Sequence, residues 1–179
     1  MIINYGNREI IIKIVYWGGA MSGKTTSLKY IFKLFGNNLR SIETSTGRTL
    51  FFDFGELLIE KGQWRFHLHI FTSTGQDFYC ETRPTVLQGV DGIIFVADSQ
   101  PSFLNDNIKS WKELCSLMDN LERIPIVFCL NKRDLNPRIS INEFRDGLGL
   151  YNKKIFETIA PSGYNVLEAL QAIIKEIFN

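Results

Sequence analysis

One segment near the N-terminus constrains this chain more than any other, because residues 18–25 read Gly-Gly-Ala-Met-Ser-Gly-Lys-Thr and match Gly-x-x-x-x-Gly-Lys-Thr in full. A β-branched apolar run, residues 10–16, precedes the motif, and a helical pattern, residues 25–35, follows it. Glycines let the backbone curl so that its N–H groups point at phosphate oxygens, and the helix adds its positive N-terminal dipole. Lys24 would reach the β- and γ-phosphates, and the Thr25 hydroxyl would ligate magnesium.

The sequence therefore predicts a phosphate-binding loop. The predicted contacts are Gly18, Gly19, Ala20, Met21, Ser22, Gly23, Lys24, Thr25 and the next residue, Thr26.

Strand and helix patterns alternate along the rest of the chain. Strands are predicted over residues 10–16, 49–54, 66–71, 92–97 and 126–130, and helices over 25–35, 104–121 and 166–178. A turn at Lys61-Gly62 predicts an antiparallel hairpin, whereas the short apolar runs at 92–97 and 126–130 are typical of buried parallel strands. The pattern predicts an α/β fold of the P-loop NTPase type, with a doubly wound, mostly parallel sheet, one antiparallel hairpin strand and helices on both faces.

Length and composition indicate one ordinary globular domain spanning residues 1–179, since 45% of residues are hydrophobic and 22% are charged. The net charge of +1 gives no broad field for nucleic acid. Three widely spaced cysteines, Cys80, Cys115 and Cys129, predict free thiols in a reducing cytoplasm. Neither a secretory signal nor a lipid-anchor motif is evident, and we expect a cytoplasmic protein.

A second motif, Asn131-Lys132-Arg133-Asp134, directly follows the buried strand at 126–130. It resembles the Asn-Lys-x-Asp motif of Ras-like GTPases. The resemblance implies that Asp134 accepts hydrogen bonds from guanine N1–H and the exocyclic amine, that the Lys132 stem covers the base, and that Asn131 ties this loop to the phosphate loop. Adenine presents no such donor pair, so the motif favours GTP or GDP over the ATP of a kinase or transport ATPase, the alternative for a P-loop chain.

Residues 158–163, Thr-Ile-Ala-Pro-Ser-Gly, stand where Ras-like proteins carry their last base-contacting loop. Only Ala160 fits the usual Ser-Ala-x pattern well. The resemblance implies that the Ala160 N–H meets guanine O6, with Pro161 beside the base. A simple strand-to-helix turn is the other interpretation.

Four further segments look like the MglA family, prokaryotic Ras-like GTPases known as cell-polarity switches. They are Asn-Arg-Glu-Ile at 7–10, Arg-Thr-Leu-Phe-Phe-Asp-Phe at 48–54, Arg-Phe-His-Leu at 65–68 and Gly-Val-Asp-Gly-Ile at 89–93. The similarity covers nearly the whole chain. It implies a switch that hydrolyses GTP to GDP, with a role in polarity or motility, a roadblock-type homodimeric activator and effectors that read the GTP form.

The third motif departs from most Ras-like proteins, which carry Asp-x-x-Gly-Gln where residues 72–76 here read Thr-Ser-Thr-Gly-Gln. The MglA family shares this change. Because the neutral hydroxyl of Thr72 attracts Mg²⁺ less than a carboxylate does, we expect Asp53 on the neighbouring strand to supply the charge through water. The Gly75 N–H would contact the γ-phosphate, and Gln76 would orient the attacking water.

The switch residues carry one more resemblance and one departure. Thr49 resembles the threonine that reaches magnesium when GTP is bound, and Arg48 resembles an arginine placed near the γ-phosphate in cis; for Arg48 a solvated loop cation is the alternative. Ala20 replaces a usual glycine, and its methyl group would sit where Gln76 and an arginine must pack. A GTP-binding scaffold that hydrolyses slowly or not at all is therefore the alternative function.

Two histidines, His67 and His69, lie two apart on a predicted strand and hence on one face. They could pair on a metal ion, but the sequence supplies no evident third ligand. A half-exposed sheet face is the favoured interpretation.

Overall fold

The computed structural model describes residues 1–36, 40–43, 49–73 and 83–179. In this part of the chain the strands form one eight-stranded sheet in the order β3-β4-β5-β2-β6-β7-β8, with β1 paired to β2. The strands are β1 (Ile2–Asn4), β2 (Glu9–Trp17), β3 (Arg40–Glu43), β4 (Thr49–Lys61), β5 (Trp64–Thr72), β6 (Gly92–Asp98), β7 (Ile126–Asn131) and β8 (Ile155–Glu157).

Five α-helices accompany the sheet in the described ranges. They are α1 (Lys24–Leu34), α2 (Arg83–Leu87), α3 (Leu104–Leu117), α4 (Ile141–Leu148) and α5 (Val166–Ile177). The longest, α3, has 14 residues, and none of these helices combines the length and apolarity needed to span a bilayer.

The strand directions agree with the predicted parallel strands and the predicted antiparallel hairpin. β2 runs parallel to both β5 and β6, and β7 and β8 continue that parallel arrangement. β4 pairs antiparallel with β5, as the predicted hairpin requires. Two antiparallel pairings, β3 with β4 and β1 with β2, were not predicted. The mixed, mostly parallel sheet confirms the predicted fold class.

Core packing confirms that helices cover both faces of the sheet. Alternate residues of β2 point to opposite sides, so Ile14 packs in the cluster shared with α1 and α5, whereas Val15 packs in the cluster shared with α2, α3 and α4. Trp17 is fully buried at the end of β2, and its Nε1–H donates to the Ser110 carbonyl at 3.1 Å. This bond fixes α3 beside the strand that leads into the phosphate loop.

Several element bounds differ from the prediction. β4 was expected to end at residue 54 but continues to residue 61. The prediction stopped early because Gly55 interrupts the apolar pattern, although buried and exposed residues go on alternating beyond it. α3 ends at residue 117, short of the predicted 121. The prediction missed α4, a short helix that begins with a capping box between Ser140 and Glu143.

Gly55 provides a test of how tightly β4 packs on α1. A Cβ placed there would lie 2.2 Å from the Phe32 ring, which is 1% exposed and cannot withdraw without disturbing the core. We expect Gly55→Ala to lower the free energy of unfolding by about 1–3 kcal/mol through overpacking. Urea denaturation measures this loss.

The matched control is Gly6→Ala, where the nearest atom, Asn4 Oδ1, is at an ordinary 3.5 Å. Adding Phe32→Leu to Gly55→Ala should recover part of the lost stability. An unchanged unfolding midpoint for Gly55→Ala would show that α1 is not packed as described.

Candidate functional site

The predicted motifs meet at the carboxyl edge of the parallel strands. The phosphate loop follows β2, Asp98 ends β6 and Asn131 ends β7. Asp98 of β6 and Asn131 of β7 are direct partners in the sheet register, and Trp17 of β2 pairs with Phe95 of β6. This edge is where open α/β sheets bind ligands.

The phosphate loop presents hydrogen-bond donors that fit an anion. α1 begins at Lys24 with Gly23 as its N-cap, which has no side chain to bond the first-turn N–H groups, and no acidic residue lies in that turn. The Ser22 hydroxyl is buried without a hydrogen-bond partner in the described part of the chain. Since a helix N-terminus attracts negative charge, this loop fits a phosphate group.

Lys24 is held inside the loop. Its Nζ donates to the carbonyl oxygens of Gly18 at 2.8 Å and Gly19 at 2.7 Å, and the residue is 6% exposed. Burial, followed by the nearby charge of Arg83, lowers the pKa of Lys24 to about 7, while Asp53 acts in the opposite direction. A bound phosphate would supply negative charge and favour the ammonium form.

Asp53 lies at the centre of a buried hydroxyl–carboxylate cluster. Its Oδ2 accepts hydrogen bonds from Thr25 Oγ1 at 2.6 Å and from Thr72 Oγ1 at 2.8 Å. The Asp53 N–H in turn donates to Thr72 Oγ1 at 2.8 Å. Asp53 and Thr72 are both completely buried. The carboxylate thus joins α1, β4 and β5 at the position where the third motif lacks an acidic residue.

The donor chemistry of this cluster fits Mg²⁺, which prefers oxygen ligands and usually keeps several waters. Thr25 offers a hydroxyl, and Asp53 brings a full negative charge within hydrogen-bond distance of it. Within the described ranges no group of three or more His, Cys, Asp or Glu side chains could hold a metal by itself. A magnesium ion at this edge would therefore rely on the Thr25 hydroxyl, phosphate oxygens and water.

Asn131 connects three segments of the site. Its Nδ2 donates to the Ser22 carbonyl of the phosphate loop at 2.8 Å, while its Oδ1 accepts from Ala160 N–H at 3.0 Å and Thr158 Oγ1 at 3.2 Å. A Cβ at Gly23 would lie 2.1 Å from Asn131 Nδ2, so this approach requires glycine. The expected tie between the second motif and the phosphate loop is thus present.

The contact expected for Ala160 differs. Its N–H was expected to be available for guanine O6, but here it donates to Asn131 Oδ1. That bond must be shared or exchanged before O6 can accept from the same N–H. Pro161 has no N–H and lies exposed beside it.

Lys132 and Asp134 lie at the same edge. Lys132 Nζ pairs with Asp98 Oδ2 at 2.6 Å and lies 5.5 Å from the centroid of the Phe103 ring. Asp98 is 2% exposed, whereas Asp134 is exposed and available to a ligand. The sequence analysis missed Asp98, although an acidic residue directly after the apolar run at 92–97 is a recognisable signal at the carboxyl end of a buried strand.

Other predicted residues are placed only in part. Arg48, Gly75 and Gln76 lie outside the described residues, and Thr49 is described only as the first residue of β4. Ala20 is exposed and lines a groove together with Arg83. Arg83, itself buried, forms a partly buried ion pair with Glu113 of α3, which the sequence analysis did not identify.

The two histidines face a carboxylate. His67 Nδ1 lies 2.6 Å from Glu56 Oε1, and His69 Nε2 lies 3.8 Å from the same oxygen. The hydrogen bond from His67 lowers the pKa of Glu56. The two histidines and Glu56 thus form a row of interacting polar side chains on a half-exposed face of the sheet.

The fold and the site together define a P-loop nucleotide-binding protein. The model of the Ras family matches residues 13–179, and the chain belongs to that family and is a GTPase.

The similar proteins include the mutual gliding-motility protein MglA of Myxococcus xanthus, 40% identical over 182 residues that cover 97% of this chain and 93% of that protein. The Ras-related protein Rab7 of Pisum sativum is 28% identical over 178 residues, which cover 94% of this chain and 83% of Rab7. The resemblance to the Ras-like and MglA families is thereby confirmed.

Family membership gives the general function. Ras-family GTPases are GTP-binding switches that bind GTP or GDP with Mg²⁺ and act with regulators and effectors. The assignment excludes the ATP-dependent kinase or transport ATPase that a phosphate loop alone would allow.

The hydroxyl–carboxylate cluster leads to a prediction about magnesium. We expect Asp53→Ala to raise the Mg²⁺ concentration needed to retain GDP by about 10–100-fold, a typical loss of metal affinity when a group that orients a metal ligand is removed. Thr72→Ala should have a smaller effect, because it removes a neutral donor and leaves the carboxylate. Release of a fluorescent GDP analogue during Mg²⁺ titration measures both.

Asp53→Asn is the matched control, since it keeps the shape and removes the charge, and it should behave like Asp53→Ala. Equal Mg²⁺ dependence in Asp53→Ala and wild type would refute the assignment of Asp53.

Proposed function

We propose that residues 1–179 act as a single G domain that binds GTP or GDP with Mg²⁺ at this edge and hydrolyses GTP to GDP and phosphate. The observation that carries the proposal is the Asn131 amide, which bonds both the phosphate loop and the 158–163 loop. A phosphate site and a base-reading site joined by one side chain fit a nucleotide rather than a lone phosphate.

The proposed contacts divide by the part of the nucleotide they hold. Residues 18–26 bind the phosphates. The guanine-binding residues are Asn131, Lys132, Asp134, Ala160 and Pro161, and Asp134 carries the selectivity for guanine. Thr25 and Thr49 ligate Mg²⁺, with Asp53 and Thr72 acting on it indirectly through hydrogen bonds.

The proposed reaction is in-line attack of water on the γ-phosphate. Gln76 orients the water, and the Gly75 N–H contacts a γ-phosphate oxygen. Lys24 and Arg48 stabilise the charge that develops as the bond to the leaving oxygen breaks. The burial of Lys24 inside the loop supports its part in this assignment.

The proposed switch consists of residues 41–49 and 76–83, which GTP orders and hydrolysis releases. The Asp53 cluster supports a link between the two segments. Asp53 follows the first switch segment on β4, and its partner Thr72 precedes the second on β5. A charge at the magnesium position therefore acts on both strands at once.

The proposed partners are a roadblock-type homodimeric activator and effectors that bind the GTP form, in a process of cell polarity or motility. The 40% identity to a gliding-motility protein supports this role. We place the switch in the cytoplasm, and the free thiols of Cys115 and Cys129 support a reducing compartment.

A second candidate is a scaffold that binds GTP and hydrolyses it slowly. The observation that favours it is Ala20, whose exposed methyl group lies in the groove shared with Arg83. α2 begins at Arg83, shortly after Gln76 in the chain, so the proposed catalytic segment leads into one wall of this groove.

Base selectivity tests the proposed function. We expect Asp134→Asn to weaken GDP binding and to favour xanthosine diphosphate, because the new amide donates to the added carbonyl of xanthine. Discrimination by a desolvated polar group reaches about 10⁴–10⁵ in favourable cases. Isothermal titration with both diphosphates measures the change.

The exposed acidic residue Asp119 supplies the control, since Asp119→Asn should leave selectivity for guanine intact. If the wild-type protein binds GDP and xanthosine diphosphate equally, Asp134 does not read the base.

Ala20 provides the test between switch and scaffold. We expect slow intrinsic hydrolysis and a rise on Ala20→Gly, because a misplacement of about 1 Å can cost on the order of 10²-fold in rate. Adding Arg48→Ala should cancel most of the gain, and Gln76→Leu should abolish hydrolysis in either background. Single-turnover hydrolysis measures each rate.

Affinity for GDP should be unchanged in Ala20→Gly, because the N–H groups of the loop remain. If Ala20→Gly hydrolyses GTP at the wild-type rate, both alone and with an activating partner, crowding by the Ala20 methyl group is ruled out.

A further inference from the structure

Arg133, the third residue of the Asn-Lys-x-Asp motif, has no role in the functions assigned above, although both of its neighbours do. Lys132 and Asp134 are assigned to the guanine base, and Arg133 lies between them in the chain. Its side chain is only 12% exposed, and arginine is seldom buried to this degree unless its charge is paired. The contacts of Arg133 therefore bear on how the two base-binding residues are held.

Arg133 joins the motif to the segment that carries the other proposed base contacts. Its Nη2 pairs with Glu157 Oε1 at 2.5 Å, and its backbone N–H donates to the Thr158 carbonyl at 3.3 Å. Glu157 ends β8, and Thr158 opens the 158–163 loop. The side chain and the backbone of one residue thus both bind the motif to the start of that loop.

The same guanidinium closes the loop that follows Asp134. Its Nη1 donates to the Ile139 carbonyl at 2.6 Å, and the Ile139 N–H donates to the Ser99 carbonyl, just beyond the end of β6, at 2.8 Å. Ile139 is 4% exposed, so the far end of the loop is anchored in the core. Residues 134–138 are all exposed, and Arg133 bridges across them.

The Asp134 side chain has no anchor of its own. It is exposed, and within the described ranges its carboxylate forms no hydrogen bond or ion pair. Its position is set by the residues beside it, where the Leu135 N–H donates to the Lys132 carbonyl at 3.0 Å and Arg133 makes the three contacts above. A side chain that recognises two ligand atoms at once must be held to within about 0.5 Å.

A guanidinium suits this task. Its N–H groups form a rigid fork that reaches the Glu157 carboxylate and the Ile139 carbonyl together, whereas the ammonium of lysine is a point charge on a flexible stem. The bond to the carboxylate is charge-assisted, about twice as strong as a neutral hydrogen bond. The two acceptors lie on different segments, so the fork fixes the motif against both.

We infer that Arg133 is a positioning residue for guanine recognition. It holds Asp134 where the two carboxylate oxygens meet the N1–H and the exocyclic amine of the base together. The inference rests on the proposed guanine-binding function of the same site. Because a displaced carboxylate still reaches one donor but not both, loss of Arg133 should reduce selectivity between bases more than it reduces binding of the nucleotide as such.

Inosine diphosphate is the probe, because its base keeps the N1–H but lacks the exocyclic amine of GDP. Calorimetric titration with both ligands gives the ratio of their Kd values, which measures the second hydrogen bond to Asp134. We expect Arg133→Met, which keeps an apolar stem and removes the guanidinium, to lower the preference for GDP about three- to tenfold, within the range of coupling between neighbouring residues. Arg133→Lys should fall between Arg133→Met and wild type, since it keeps the charge but not the fork.

Two further variants separate positioning from stability. Glu157→Gln removes the charge partner and should lower the same preference; added to Arg133→Met, it should change nothing more, because the pair acts as a unit. The matched control is Arg123→Met, at an exposed position before β7, which should keep the wild-type ratio. Partial unfolding lowers the binding of both ligands equally and leaves the ratio unchanged. If Arg133→Met does not fold, Arg133→Lys and Glu157→Gln carry the same test.

Two results would overturn the inference: Arg133→Met changing the Kd values of GDP and inosine diphosphate by the same factor, or Glu157→Gln lowering the preference further when added to Arg133→Met. Either result leaves the proposed function intact, because wild type still prefers GDP. If wild type itself shows no preference for GDP, the proposed reading of the base by Asp134 fails, and this inference fails with it.

Discussion

The site depends on one buried amide. Asn131, 1% exposed, bonds the phosphate loop through Ser22 and the 158–163 loop through Ala160 and Thr158. An unpaired amide at this depth would cost the full desolvation of its polar atoms, so its partners are held in fixed positions. Three segments that are distant in the sequence, the 18–25 loop, the end of β7 and the 158–163 loop, are therefore joined through one side chain.

The Asp53 cluster shows how the chain tolerates threonine at position 72. A carboxylate that most Ras-like proteins place at the start of the third motif is supplied here from β4, the strand antiparallel to β5. The two threonine hydroxyls satisfy this buried charge by donating to it. The same oxygen, Asp53 Oδ2, therefore ties β4 to both α1 and β5.

Much of this arrangement could be predicted from local patterns. The phosphate loop, the Asn-Lys-x-Asp motif and the parallel strands at 92–97 and 126–130 follow from glycine placement and apolar runs. The short strands β1, β3 and β8 could not be predicted, because three or four residues show no periodicity. Helix α4 was missed although Ser140 and Glu143 form a capping box that the sequence displays. The full length of β4 was hidden by Gly55, which is present because the Phe32 ring leaves no room for a side chain.

The sequence by itself determined the fold class and the class of GTPase, because the Gly-x-x-x-x-Gly-Lys-Thr and Asn-Lys-x-Asp motifs are contiguous in the chain and follow apolar strands. Only the tertiary structure decided the pairing of Asp53 with Thr25 and Thr72, the ion pair of Lys132 with Asp98, and the bond from Ala160 to Asn131. These contacts join different strands and loops, and their geometry follows from sheet register and packing rather than from spacing along the chain.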